Sequence, residues 1–317
     1  MRPVLLDVNL MEDFAAGFLL AARAPELDIL GVTVTFGETD LATAAQNTAE
    51  LMDLCGLSCP VALGADRPWR RTWVLPPRPM PLGGAINAMQ LDPAAKADLS
   101  PLPAAEFLYE TLRAAARPVT LLCSGPLTNV AALLERHPDA KSRIGQLVWR
   151  GGTQRHAVNG VVRDLQTLLD PEAAAFVLEA GLPFVMCPVD MGHALQASQG
   201  EVDAGIGLTD PVLHQLNRLL KKRWCEANEN QPIGQRTLGL PLQDVAAAVY
   251  LLDPEAFTAE PFHCEVDLKG RYTFGMCVVD ICRRMGREDN ILLLRDADHE
   301  RVISRLYQSK PPVEPVV

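Results

Sequence analysis

From residue 3 the chain runs Pro-Val-Leu-Leu-Asp, an apolar stretch that predicts a strand over residues 3–7. Residues 12–24 are apolar on every side, the pattern of a helix packed into a core. Residues 28–36, DILGVTVTF, are rich in β-branched side chains and predict a buried strand. An amphipathic helix over 41–54 and a short strand over 59–63 follow. Further along, strands are predicted over 119–123, 147–149 and 184–188. Helices are predicted over 104–116, 129–136, 171–180, 210–227 and 244–252, the last with Asp244 as its N-cap. Residues 262–280 have the pattern of antiparallel strands. Repeated β-α-β order implies an α/β fold, a mainly parallel central sheet flanked by helices with right-handed crossovers. Residues 66–102 contain many prolines and the pair Gly83-Gly84, which predicts a long irregular cover or insertion. No repeat or linker divides the chain, so residues 1–317 are expected to form one large domain.

Charge narrows the partners. The net charge is -10, and no dense run of Lys or Arg offers a footprint for a phosphate backbone, so a nucleic acid polymer is not an expected partner. The most basic stretch, Lys221-Lys222-Arg223, fits a solvated helix face. No apolar run has transmembrane length, and the first residues lack the pattern of a signal peptide, so no membrane role and a cytoplasmic location are expected. Eight cysteines without a C-x-x-C pair suggest reduced thiols rather than a disulfide framework or a zinc site.

In open α/β sheets, ligands sit beyond the carboxyl ends of the strands. The residues just after the predicted strands are therefore the candidate site. They are Asp7, Asn9 and Asp13; Gly37 and Glu38; Ser124, Gly125 and Pro126; Gly151 and Gly152; Asp190; and Asp244 at the start of a late helix. Converging carboxylates repel one another unless burial raises their pKa values or a cation binds. Oxygen donors without paired His or Cys favour Ca²⁺ or Mg²⁺. The competing role for Asp7 and Asp244 is local, as caps of the helices that follow them.

The order of the motifs adds a resemblance. LLDVNLMEDFAAGFLLAARAPELDILGVTVTFGE, from Leu5 to Glu38, is similar to the opening of the inosine–uridine-type nucleoside hydrolases. That family begins with a strand, D-x-D-P-G-x-D-D, a helix, P-E and a strand ending in G-N. The resemblance continues through PVALGADRPW, SGPLTNVA, LDPEAA, PVDMGHALQ, QDVAAAVYLLDPEAF and GMCVVD, in one order over nearly the whole chain. It implies one large α/β domain that cleaves the N-ribosidic bond of a ribonucleoside or related ribosyl compound with water, in purine or pyrimidine salvage. It also implies a Ca²⁺ that holds the ribose hydroxyls and the attacking water, a carboxylate that takes the water's proton, an oxocarbenium-like transition state, and a homodimer or homotetramer.

Carried over position by position, the resemblance implies a catalytic set of Asp7, Asn9, Asp13 and Glu38. The substrate-binding set is Asp13, Asn159, Asp164, Gln166, Trp224 and Gln243, and the metal set is Asp7, Asn9, Ser124 and Asp244. Several positions depart from the family pattern. Asn9 stands where the family has the carboxylate that binds metal and acts as base, and Phe14 where it has a bidentate metal-ligand Asp. Glu38 replaces an Asn near the water, and Gln243 replaces a His that helps protonate the leaving base. Two readings of the opening stretch stay open. In one, the first helix slips by one residue and Glu12 and Asp13 rebuild an acidic pair, with Asp7 or Glu38 as base. In the other, the metal site is depleted, because Asn can ligate but cannot serve as a base at neutral pH. The alternative function is a non-hydrolytic homologue that binds a nucleoside-like ligand. Arg150 either carries positive charge to the strand-end face or pairs with an acid at the surface. His156 is a candidate proton donor, and His193 a structural hydrogen bonder.

Overall fold

The computed structural model describes residues 1–72, 91–154, 164–204, 209–228 and 239–307, without the side chains of residues 12, 13 and 226–228. The strands are β1 (Arg2–Val8), β2 (Leu27–Val34), β3 (Val61–Leu63), β4 (Val119–Cys123), β5 (Ile144–Arg150), β6 (Phe184–Cys187), β7 (Gln196–Ala197), β8 (Leu240–Pro241), β9 (Phe257–Phe262), β10 (Cys264–Val266), β11 (Cys277–Val279) and β12 (Ile291–Ala297). Eight of them make one sheet in the order β3-β2-β1-β4-β5-β6-β12-β9. Every pairing in it is parallel except β12 with β9. The helices are α1 (Glu12–Arg23), α2 (Leu41–Cys55), α3 (Ala104–Ala114), α4 (Thr128–Arg136), α5 (Leu165–Leu169), α6 (Pro171–Glu179), α7 (Met191–Ala194), α8 (Gln199–Ala204), α9 (Pro211–Asn228), α10 (Gln243–Leu252) and α11 (His299–Tyr307).

The strands are apolar almost without interruption because both faces of the sheet are covered. Side chains alternate across a strand, and the two cores follow that parity. Val4, Leu6 and Val8 of β1 join Leu122 and Val148 on the face under α1, α2, α9 and α10. Leu5, Leu121, Cys123, Leu147 and Trp149 join the opposite core, with α3, α4 and α6. Local chemistry closes the helices. Asp40 accepts from Thr43 N–H at 2.9 Å to start α2, and Gly56, at φ 65°, ends it in the left-handed conformation that glycine adopts freely. Asp170 caps α6 ahead of Pro171, its first residue.

β1 lies between β2 and β4, so the chain leaves β1 toward one edge of the sheet and later returns to build toward the other. That reversal is a topological switch point, and the carboxyl ends of β1 and β4 flank a crevice where such folds bind ligands. The elements differ from the sequence reading in several places: β7, β8, α5, α7 and α8 were not expected. Asp244 is not the N-cap of α10; Leu242 is, and Asp244 sits in the first turn with its side chain drawn toward two arginines. His193, expected as a structural hydrogen bonder, lies exposed on α7. β12 and α11 follow the last strands expected from sequence. The two adjacent glycines Gly83 and Gly84 lie outside the described residues.

Candidate functional site

Asp7 shares the parity of Leu5, so its side chain points to the face that carries α4. It is buried and faces Thr33, its register partner on β2. Oδ1 accepts from Thr33 Oγ1 at 2.6 Å and from Asn129 Nδ2 at 2.8 Å. Oδ2 is buried without a hydrogen-bond partner among the described residues. Burial pushes this carboxyl up to about 6, against the pull of the hydrogen bonds from Thr33 and Asn129. Neither Thr33 nor Asn129 stood out in the sequence, although Asn129 lies inside SGPLTNVA.

Asn9 organises the next loop. Its Nδ2 donates to the carbonyls of Thr35, at 2.9 Å, and Thr39, at 3.1 Å, while Oδ1 accepts from Thr39 N–H at 3.4 Å. The loop closes so tightly on this amide that a Cβ on Gly37 would lie 2.4 Å from Asn9 Oδ1. Asn47 of α2 holds the other side, donating to Leu10 C=O at 2.7 Å. Glu38 therefore stands on the same turn, half-buried, and its Oε1 accepts from Gln166 Nε2 at 3.4 Å. Ser124 joins the cluster through its backbone, donating to Asp7 C=O at 2.9 Å.

Arg150 has the parity of Val148, so it points to the opposite face, where α10 packs. It is buried and pairs with an acid there: its Nε donates to Asp244 Oδ1 at 2.6 Å. Arg223, from α9, donates to Asp244 Oδ2 at 3.2 Å. The Lys221-Lys222-Arg223 stretch is thus not wholly a solvated face. Trp224, the next residue, is half-buried against the first core. Asp164 caps α5, accepting from Thr167 N–H at 3.1 Å, and also accepts from Gly152 N–H at 3.0 Å. Burial raises its pKa, against the charge of Arg150 and those two N–H groups. Cys187 of β6 donates through Sγ to Gln243 C=O at 3.7 Å; burial pushes this thiol up to about 12, against the charge of Arg150.

The structure thus brings Asp7, Asn9, Glu38, Ser124 and Gln166 together around the switch point. It places Arg150, Asp164, Asp244 and Gln243 beside them on the β5 and β6 side. Neighbouring strands lie about 4.8 Å apart, so β1 and β5, two positions apart, are separated by about 10 Å. Asp7 Oδ2, Thr35 Oγ1, Ser124 Oγ, Gln166 Oε1 and Gln243 Oε1 are buried and unpartnered among the described residues. Orphaned buried polar atoms call for a partner, and a polyhydroxylated ligand at this edge would supply one. Asn159 and His156 lie outside the described residues, and so does the side chain of Asp13, with the slipped pairing of Glu12 and Asp13.

The described donors do not fit a calcium ion. Phe14 packs in the apolar core, and the Asn9 amide is spent on its own loop. Asp244 meets a guanidinium at each oxygen. An ion at a calcium–oxygen distance of about 2.4 Å from Oδ1 would lie within about 5 Å of Arg150 Nε. A divalent and a monovalent cation at that separation repel by about 7 kcal/mol at an effective dielectric of about 20. No cluster of three or more His, Cys, Asp or Glu suited to a metal occurs among the described residues.

Comparison with known proteins bears on this edge of the sheet. A family model described as inosine-uridine preferring nucleoside hydrolase matches residues 4–304. The pyrimidine-specific ribonucleoside hydrolase RihA of Escherichia coli (strain ATCC 8739) is 31% identical over 307 residues, 96% of each chain. The protein of that name from Salmonella typhimurium is 30% identical over 311 residues, covering 96% of this chain and 97% of its own. Among solved structures, an inosine-guanosine nucleoside hydrolase matches with a TM-score of 0.83 at 20% identity, over 96% of this chain and 98% of its own. A plant nucleoside hydrolase matches with a TM-score of 0.81 at 20% identity, over 96% of this chain and 97% of its own.

Proposed function

The chain belongs to the inosine-uridine preferring nucleoside hydrolase family, and from that premise we propose that it hydrolyses the N-ribosidic bond of a ribonucleoside at the β1–β4 crevice with Glu38 as the general base. Water attacks the anomeric carbon as the N-ribosidic bond breaks, the sugar gains oxocarbenium character, and the nucleobase leaves with the bonding electron pair and takes a proton from solvent. Glu38 accepts the proton of that water. Gln166 Nε2 holds the carboxylate in place. The unpartnered oxygens of Ser124, Gln166 and Gln243 are available to the ribose hydroxyls.

The observation that carries the assignment is an exchange between neighbours. The family resemblance places a carboxylate at the position of Asn9 and an amide at that of Glu38, and this chain has them reversed. The two meet at one turn: the Asn9 side-chain amide, from the end of β1, is bonded to Thr39 on the turn after β2, and Glu38 directly precedes Thr39. The acid has moved from the end of β1 to the turn after β2, so beside Asp7 the crevice keeps a second carboxylate, that of Glu38, for the water. This reading favours hydrolysis over a non-catalytic binding role.

Pyrimidine ribonucleosides are the first substrates to try, since RihA bears that specificity in its name at 31% identity. Release of reducing sugar is the assay. Glu38→Gln should lower kcat by about 10²–10⁴ while the melting temperature stays near that of wild type, because the side chain is half-exposed. Unchanged kcat in Glu38→Gln would assign the base elsewhere.

A further inference from the structure

We propose that Arg150, with Arg223 beside it, supplies the fixed positive charge that the family resemblance assigns to calcium, so that this chain holds the sugar end of its substrate without a metal. The proposal rests on the ribohydrolase reading for its substrate, but its electrostatic core stands on geometry alone.

Three observations converge. The first is position: Arg150 is the last residue of β5, at the carboxyl edge, and its register partner Cys187 ends β6 beside α10. The second is burial. Arg150 and Asp244 are both almost fully enclosed, and a buried charge persists only when it is paired and hydrogen-bonded. The short Nε–Oδ1 contact and the second guanidinium on Oδ2 make that pairing, so Asp244 faces arginines where the family has an ion. The third is the loss of acid. Asn9 and Phe14 remove two carboxylates from the ligand set that the resemblance implies, and calcium affinity follows the charge of the ligands. Losing two negative charges while guanidinium groups close on a third acid is a consistent change of one small volume.

A guanidinium is suited to part of the ion's work. It is always charged and carries five N–H donors in a rigid plane. It can therefore orient vicinal hydroxyls as a cation does, without exchanging with solvent ions. Arg150 also donates to one oxygen of Asp244 while Arg223 donates to the other. Arg150 touches the sugar hydroxyls in this account, and Arg223, brought in by α9, completes the clamp on Asp244.

The deciding experiment uses the full-length wild-type protein, stripped with chelator. Calcium titration calorimetry and thermal melts in 5 mM Ca²⁺ or 5 mM EGTA come first (concentrations about fivefold above the dissociation constant of the weakest ordinary sites, roughly 10⁻³ M). The expected result is no saturable heat, the same melting temperature in both buffers, and ribose release indifferent to EGTA. Saturable calcium binding, or a melting temperature that falls in EGTA, overturns the proposal. If no nucleoside is hydrolysed, the functional reading fails, yet the calorimetry and melts still judge the arginine. Arg150→Met then tests the residue itself. Its kcat/KM should fall at least about 100-fold, and millimolar guanidinium ion should restore part of it. Activity equal to wild type overturns the assignment, and so does a folded variant whose loss guanidinium leaves unrepaired. Should Arg150→Met fail to fold, the wild-type measurements decide.

Discussion

At the scale of single residues, a carboxylate at the end of an apolar strand is an anomaly that burial makes visible. Asp7, Asn9, Glu38, Ser124 and Asp244 were legible for that reason: each breaks an apolar run or opens a helix where an open sheet binds its ligands. Arg223 was not legible, because it lies in a basic trio on a helix and only the tertiary fold brings its side chain to Asp244. Asn129 was hidden for a similar reason, since its bond to Asp7 spans more than a hundred residues. Asp7 also carries a testable cost. Its folded pKa, about 6, lies above the ordinary 3.8, so the native state binds the proton more tightly than the unfolded chain. The stability this carboxyl contributes is whole below about pH 4 and is lost as pH rises through about 6. Asp7→Asn removes that loss. Its stability relative to wild type should therefore grow by roughly 2 kcal/mol between pH 4 and pH 8, read from urea unfolding at each pH. A difference that stays flat with pH would show that Asp7 does not titrate in this range.

At the scale of elements, local pattern carried most of the account. The predicted strand over 119–123 matches β4, and most helices begin and end within two residues of their expected positions. Periodicity reports burial, and these elements are buried by their neighbours in the layer. β12 escaped because ILLLRDA is a short apolar run whose strand character comes from pairing with β6 and β9, which are distant in sequence. The N-cap role expected of Asp244 failed because tertiary ion pairing outcompeted a local hydrogen bond. The contact between α1 and α10 gives the element-scale prediction. A Cβ on Gly17 would lie 2.4 Å from the Asp244 carbonyl oxygen and 3.0 Å from the Phe14 ring. Backbone cannot yield cheaply, so α1 must move away from the helix that presents Asp244. Gly17→Ala should cost about 1–3 kcal/mol and also lower kcat/KM. Gly200 in α8 meets only Ser198 Oγ, at 4.0 Å, so Gly200→Ala should not lower the melting temperature. Equal effects from the two substitutions would remove crowding as the cause.

At the scale of the molecule, one sheet separates two cores, and the site depends on both. Asp7 leans on the layer of α4, while Arg150 and Asp244 lean on the layer of α1, α9 and α10. Neither layer can loosen without displacing half of the crevice. The residues that link layer to site show why. Trp149, fully buried in one core, donates through Nε1 to Gly125 C=O at 3.0 Å, next to Ser124, and a Cβ on Gly151 would strike its ring. Phe18, fully buried in the other core, lies on α1, which packs against the helix of Asp244. We therefore expect residues 1–317 to unfold as one cooperative unit. Phe18→Ala and Trp149→Ala should each cost about 3–5 kcal/mol, and each should move a single calorimetric transition as a whole. Two independent units would behave otherwise: one substitution would split the endotherm, with a lower transition for its own layer and an unmoved one for the other. The calorimetric and van't Hoff enthalpies, compared in both variants, distinguish the cases. Agreement between them would mean that a cavity on either face of the sheet is felt at the crevice, and kcat/KM should then fall at temperatures where each variant begins to melt.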